Sequence, residues 1–300
     1  MKITTKAQSY LILMTAIWGM TFPLLHRAVS LITPEQLVFQ RFLLACLILL
    51  PFVFKHLQRS SVLILLGGLV LGALNCGTYV FQTMGLETIS ASRAAFITGA
   101  SVLFVPFLSP FFRLGRPRLI DFGSVLLCLL GIYVLTGENL SGITLGDFWV
   151  LLSTFCFAMT VLVVQWLTQR TKDYLLLTFY QLFFALPIIA ISSRGHCFTW
   201  RWHTQSVLAV VFCAVFATII ALFIQIRYQQ YTTATKAALI FMLEPVFAVL
   251  FDWLLNGEGI SVSMLLGGSM ILMSVILSES FQGLKKALRL SGFFSHEPNR

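Results

Sequence analysis

Residues 79–104 read YVFQTMGLETISASRAAFITGASVLF, and residues 222–247 read LFIQIRYQQYTTATKAALIFMLEPVF. Laid over each other without a gap, at an offset of 143 residues, they share Gln82 with Gln225, Ala91 with Ala234, Ala94 with Ala237, Ala95 with Ala238, Ile97 with Ile240 and Phe104 with Phe247. Chemistry is kept between the identities, with Ser90 over Thr233, Ser92 over Thr235 and Arg93 over Lys236. A stretch that returns in this way marks the two halves of the chain as versions of one folding unit.

Composition decides the class of that unit. Of 300 residues, 58% are hydrophobic and 10% charged, against about 25% charged in a soluble domain. So few charges cannot coat that much apolar chain in water. Apolar runs near residues 9–32, 35–54, 62–86, 91–112, 119–136, 145–169, 174–193, 204–229, 235–255 and 261–281 each match the about 20 helical residues that cross a ~30 Å hydrocarbon layer. The first run is longer than a signal-peptide core and lacks a clear small-x-small cleavage site, so it is expected to remain as a helix.

The expected fold is an all-α polytopic membrane protein of ten transmembrane helices, arranged as two inverted five-helix repeats. Residues 1–138 form the first repeat, 139–282 the second, and 283–300 a basic cytoplasmic tail. Inversion follows from the odd helix number, since the second half must then enter the membrane from the opposite side. With the N-terminus in the cytoplasm, fifteen of the twenty Lys and Arg residues face inward, Arg27, Arg93, Arg194 and Arg201 face outward, and Arg41 falls inside the second helix. That asymmetry obeys the positive-inside rule and puts both termini in the cytoplasm. An inverted pair offers two arrangements, one open to each side of the bilayer.

The same distribution argues against a nucleic-acid partner despite the net charge of +9, because no basic stripe alternates with stacking aromatics. Cys46, Cys76, Cys128, Cys156 and Cys213 lie in apolar runs and Cys197 in a connector, without metal-ligand spacing. His26, His56, His196, His203 and His296 form no ligand-spaced cluster. Neither a metal nor a cofactor is expected, and the absence of a Walker motif argues against direct drive by ATP. The expected partners are a small-molecule solute and the lipid bilayer, with protons or a counter-substrate for coupling.

The two halves, the Trp18-Gly19 pair, Arg41 and Ser90-Ala91-Ser92-Arg93-Ala94-Ala95 resemble the bacterial drug/metabolite transporter superfamily, EamA branch. So do Thr235-Lys236-Ala237-Ala238 and the run from Glu244-Pro245-Val246 to Gly257-Glu258. The resemblance covers roughly residues 8–281. One departure is Leu114-Gly115-Arg116, which lacks the Glu common there in the family and present in the second half as Glu258. The resemblance implies a multi-pass carrier of the bacterial cytoplasmic (inner) membrane. Such a carrier moves small metabolites, including amino acids and related compounds, along a pathway lined mainly by the third, fourth, eighth and ninth helices.

Glu244 is the most informative single residue. It falls about nine residues into the ninth helix, roughly 13 Å from the boundary at 1.5 Å per residue. A carboxylate at that depth costs on the order of 3 kcal/mol and requires a cation, a proton or a wet cavity. Pro245 cannot donate the usual helix bond and favours a kink. The candidate roles are solute ammonium binding, proton coupling, capping of broken backbone, or a purely structural tie.

Arg41 is the natural opposite charge, facing either the cavity or, by snorkelling, the membrane surface. Asn75, Tyr79 and Gln82 share one face of the third helix, where they bind solute or simply join helices. Gln225 stands where Gln82 does in the other half. Trp18, Gly19 and Pro23 read as packing with a kink, or as a cavity wall. Arg93 and Lys236 sit at helix starts that disfavour a cation, and either anchor the chain at the interface or attract solute to each mouth of the pathway. Gly68 and Gly72, and Gly267 with Gly268, read as close helix packing, or alternatively dimerisation.

A secondary transporter of a small polar or amphipathic metabolite, working by alternating access, is the leading function. A non-transporting receptor or scaffold is the alternative, with a sealed interior. An intramembrane enzyme would need a second polar cluster beside Glu244, and the sequence offers none.

Overall fold

A chain crossing lipid must satisfy its backbone within each segment, and the described chain is helical throughout, with no strand among the described residues. The computed structural model describes residues 3–28, 31–89, 91–115, 117–136, 142–198, 204–257 and 259–290. Ser90, Arg116, Glu258, Arg201, residues 291–300 of the basic tail and the side chain of Pro23 lie outside what it describes.

In chain order the helices are α1 (Ile3–Ala28), α2 (Pro34–Val53), α3 (Val62–Leu86), α4 (Ala91–Gly99), α5 (Ser101–Leu108), α6 (Leu119–Thr136) and α7 (Leu145–Thr168). They continue as α8 (Tyr174–Ser192), α9 (Thr204–Phe212), α10 (Ala221–Tyr228), α11 (Ala234–Phe241), α12 (Glu244–Asn256) and α13 (Val262–Leu290). Three of the expected helices are interrupted: α4 and α5 make one rod, α11 and α12 another, and a π-helical stretch, Cys213–Ile220, joins α9 to α10. Counted as rods, the helices among the described residues number ten, as expected.

Six stretches are long and apolar enough to cross a bilayer by themselves, and 97–112, 119–135 and 262–278 are shorter apolar helices. The remaining rod, α1, carries Lys6, Gln8 and Trp18 and packs against α10, α11 and α12. At the other end of the chain, α13 continues to Leu290, past the expected limit near 281. The run Lys285-Lys286-Ala287-Leu288 is made of strong helix formers, with no proline to stop it.

Helix starts use short oxygen-bearing side chains, as orphan N–H groups require. The Ser61 hydroxyl accepts from the Ile64 amide and the Thr233 hydroxyl from the Lys236 amide. Thr33 with Gln36, and Thr144 with Asp147, form reciprocal capping boxes.

The two interrupted copies of the repeat break at equivalent places. Ala100 and Leu243 stand 143 residues apart, and their amides donate at 3.0 Å to the Ile97 and Ile240 carbonyls, three residues back instead of four. Pro245 follows the second break, whereas Val102 holds the equivalent position in the first. The break therefore does not depend on proline. The residues after it differ more: Glu244 in the second half, and in the first Ser101, whose Oγ is buried without a partner.

The halves are interleaved. α6 lies along α13, α3 against α7 and α8, α1 against α12 and α10, and α2 against α8. Glycines set the closest approaches. A Cβ on Gly72 would stand 2.7 Å from the Gln181 carbonyl of α8, and one on Gly131 would stand 2.9 Å from the Gly267 carbonyl of α13. Gly68 and Gly72 thus pack helices within the chain.

A Cβ on Gly267 would meet the Leu135 amide and Gly131 carbonyl, backbone atoms that cannot turn aside. Gly267→Val is expected to destabilise the protein by about 1–3 kcal/mol, the usual cost of overpacking. Gly268→Ala, whose nearest neighbours would be 3.7 Å away, is expected to be tolerated. Thermal melts of the purified variants check this, and equal midpoints would mean that the α6–α13 crossing is looser than described.

Candidate functional site

The wall of the central cavity begins with Tyr79, Thr78, Gln82 and Thr83 on α3, the first stretch of the sequence repeat. Trp18, Thr21 and Leu25 of α1, with Leu37, Val38 and Arg41 of α2, continue it. Thr98 of α4, Phe157 of α7 and Glu244 at the start of α12 complete it. The threonine hydroxyls donate to their own helices: Thr21 to the Trp18 carbonyl, Thr78 to Leu74, Thr83 to Tyr79 and Thr98 to Ala94. Their lone pairs line the space.

Glu244 reaches the wall because the helix breaks just before it. Among the described residues its carboxylate makes no hydrogen bond or salt bridge, and it faces the same cavity as Arg41. Gly19 makes this approach possible. A Cβ there would lie 2.6 Å from the Phe247 Cβ and 2.9 Å from the Glu244 carbonyl, so α1 passes directly against the break.

Arg41 is only 2% exposed and turns inward to the cavity wall, so it does not snorkel outward. Its Nε donates to the Thr218 hydroxyl and its Nη2 donates to the Ala217 carbonyl at 2.9 Å. Its guanidinium carbon lies 4.4 Å from the centre of the Tyr79 ring. The indole Nε1 of Trp18 donates to the same Ala217 carbonyl at 3.0 Å. Trp18 also meets Phe157 and Phe241 edge-on, at 5.9 and 5.7 Å between ring centres. These three rings form an apolar floor beside the charged pair.

The cavity extends toward the end of the bundle where α1 and α3 finish and α2 begins, as Leu25, Leu37 and Thr83 mark. At that end burial, with repulsion from Glu35, holds the Glu87 carboxyl above the ordinary carboxylate range. The opposite end is crowded by rings and amides. Tyr10 stacks on Tyr228 at 4.3 Å. Beside them Gln225 donates to Gln229, Gln229 to Gln165 and the Val161 carbonyl, and Gln165 to the Thr232 carbonyl.

Of the residues singled out in the sequence, Trp18, Arg41, Tyr79, Gln82 and Glu244 are thus brought together. Pro245 is buried behind the break. Asn75 shares the α3 face but lies too deep for the cavity, and its amide donates to Gln181 of α8 at 2.8 Å. Gln225 belongs to the crowded end. Helix order also differs from what the resemblance implied. The third, fourth and ninth helices contribute, joined by the first, second and sixth, while the eighth supplies the Ala217 carbonyl and Thr218 hydroxyl that hold Arg41 and Trp18.

Arg93 is tied across the halves. It grips Asp147 of α7 with Nε at 2.6 Å and Nη2 at 2.8 Å, and Nη2 also reaches the Gly142 carbonyl. The dipole penalty of a cation at the start of α4 is offset by this carboxylate, which also caps α7. Hydrogen bonding by Arg93 in turn fixes Asp147 in place. Lys236 is 4% exposed in the first turn of α11, so it is turned into the bundle and does not reach out as an interfacial anchor. Asp147→Asn is expected to cost about 1.5–3 kcal/mol, the range for a hydrogen bond to a charged group, and to leave Arg93 with one oxygen in place of two. The thermal midpoint measures it, and a shift that vanished at high salt would show the pair to be merely a surface contact.

Thr98, Phe157, Ala217 and Thr218 were not singled out from the sequence. Thr98 lies inside the repeat, two residues before its break, which is a usable signal. Phe157 is one of 28 phenylalanines, with nothing in its neighbours to separate a wall from a lipid face.

With this geometry in place, comparison with known proteins gives a consistent answer. Residues 5–137 and 144–279 each match the family described as EamA-like transporter family. An uncharacterised transporter of Archaeoglobus fulgidus is 31% identical over 274 residues, covering 89% of this chain and 83% of the relative. A chloroplastic WAT1-related protein of Arabidopsis thaliana is 23% identical over 209 residues, covering 66% of this chain and 50% of the relative. A crystal structure of another protein superposes with a TM-score of 0.73 at 15% identity, covering 92% of this chain and 97% of that one. At that identity the match speaks for the fold alone.

Proposed function

This chain belongs to the EamA-like transporter family, and from that premise we propose that it is a secondary transporter moving a small polar or amphipathic metabolite, an amino acid or related compound, by alternating access. The carrying observation is the Glu244 carboxylate, which lies on the cavity at a helix break and makes no hydrogen bond or salt bridge to a described residue. A carboxylate inside a membrane protein needs a cation, a proton or water, and with the Arg41 guanidinium bonded to Ala217 and Thr218, a solute ammonium or a coupled proton meets that need. The uneven ends of the cavity support the reading: one end is reached by it, and the other is filled by the Tyr10–Tyr228 stack and the glutamine chain.

The proposal includes two inverted halves and a cytoplasmic-membrane location in a bacterium, with both termini inside. The positive-inside count supports the orientation. The equivalent breaks at Ala100 and Leu243 support the relation between halves.

Counterflow in proteoliposomes tests the function. Vesicles containing the protein and loaded with unlabelled amino acids are expected to accumulate labelled amino acid faster than protein-free vesicles. Equal rates for every amino acid and amine offered would sink the proposed substrate class.

A further inference from the structure

The π-helical stretch Cys213–Ile220 supplies no side chain to the cavity wall, yet its three side-chain hydrogen bonds with other elements among the described residues come from wall residues. A π turn widens the helix and commonly marks a functional site. Here it presents the Ala217 carbonyl to Trp18 and Arg41 together, and the adjacent Thr218 hydroxyl to Nε of Arg41. Thr218 is fully buried, and with the Tyr79 ring against the guanidinium the group has no freedom to turn. Two of the five guanidinium N–H groups are engaged in these bonds. Nη1 takes no part in them, and Arg41 lines the cavity that also holds Glu244.

We propose that Thr218 is a positioning residue that holds Arg41 with Nη1 toward the cavity, as the subsite for a carboxylate or similar oxyanion on the solute. The proposal rests on the reading of the cavity as a solute site. It deepens that reading by giving the two ends of the solute separate partners, the anionic end at Arg41 and the cationic end at Glu244. Guanidinium suits this task because it stays charged and offers planar, fixed donors. If Arg41 served only to tie α2 to the π stretch, loosening it would affect all ligands alike.

The test uses the full-length protein in nanodiscs and three probes with one phenyl ring: L-phenylalanine, phenethylamine and 3-phenylpropionate. The ring faces Trp18 and Phe157 in each, and only the charges differ. Thr218→Val is expected to weaken phenylalanine and 3-phenylpropionate by about tenfold or more and phenethylamine by less than about twofold, as loss of an oriented charge-assisted bond predicts. Thr218→Ser is expected to restore both carboxylates. Where Thr218→Val does not fold, Thr218→Ala removes the same hydroxyl without adding bulk.

Equal weakening of all three probes, or no affinity of the unaltered protein for either carboxylate, overturns the proposal. Flux separates it from the transporter reading. Phenethylamine transport without any carboxylate effect leaves the carrier and removes the subsite. The expected binding pattern without flux of any probe keeps the subsite and removes the carrier.

Discussion

Glu244→Gln is expected to lower amino-acid flux in proteoliposomes by roughly 10- to 100-fold, the equivalent of about 1.5–3 kcal/mol for a hydrogen bond to a charged group. The substitution keeps the size and hydrogen-bonding capacity of the side chain and removes only its charge and its ability to carry a proton. Folding should be nearly unaffected, because the carboxylate makes no hydrogen bond or salt bridge to a described residue that would be lost. Removing a charge from the interior relieves a desolvation cost. The decisive pair of measurements is flux and folded yield. Flux that stayed undiminished, with the same pH dependence as before, would dismiss any role for Glu244 in binding or coupling. A fall in yield matching the fall in flux would assign it a structural tie.

Gly19→Ala is expected to be nearly as damaging, by a different route. The added methyl group would come within 3.0 Å of three atoms at the head of α12: the Phe247 Cβ, the Glu244 carbonyl oxygen and the Ala248 amide. Two of these are backbone, so α1 and α12 must separate. That strain costs about 1–3 kcal/mol, partly offset by about 1 kcal/mol of better helix propensity. The larger consequence is positional. Glu244 would shift relative to Arg41, and Trp18, the residue before Gly19, would be pulled from the Ala217 carbonyl. Flux is expected to fall at least about tenfold, with a smaller loss of thermal stability, because a displacement of about 1 Å in a positioned site is enough for such a loss. Gly123→Ala on α6, where nothing lies within 4 Å, is the control and should be neutral or mildly stabilising. If both alanines behaved alike, the contact of α1 with the break would not matter to transport.

These two residues also show what linear order can reveal. Glu244 stood out because a carboxylate deep in an apolar run has few explanations, and its neighbour Pro245 announced an irregular helix. Arg41 stood out for similar reasons of depth and type, and Trp18-Gly19 through the family resemblance. The apolar runs gave the ten-rod count, and the repeat marked, through the Ala91/Ala234 frame, the stretch in which both halves break. What stayed hidden depends on rotation about helix axes. Asn75 and Gln82 lie on one side of α3, yet only the upper part of that side meets the cavity, because Gln181 of α8 takes Asn75 first. Gln82 and Gln225 occupy equivalent positions, but one lines the cavity and the other is held in an amide chain with Gln229. Equivalent sequence positions need not have equivalent surroundings when one end of the bundle is crowded by rings and amides. The π stretch was invisible altogether, since Cys213-Ala214-Val215-Phe216-Ala217 reads as ordinary apolar helix.

The unequal residues at the two breaks have a consequence for how such a molecule can be assembled. Ser101 and Glu244 occupy matching places, one a neutral hydroxyl buried at the break and the other an ionisable acid. A chain built from two copies of the first half would lack the acid, and one built from two copies of the second would bring in a pair of them, each disfavouring the other's ionisation. Division of labour between the two family-matched halves, one with an ionisable side chain at its break and one without, therefore leaves a single titratable acid there.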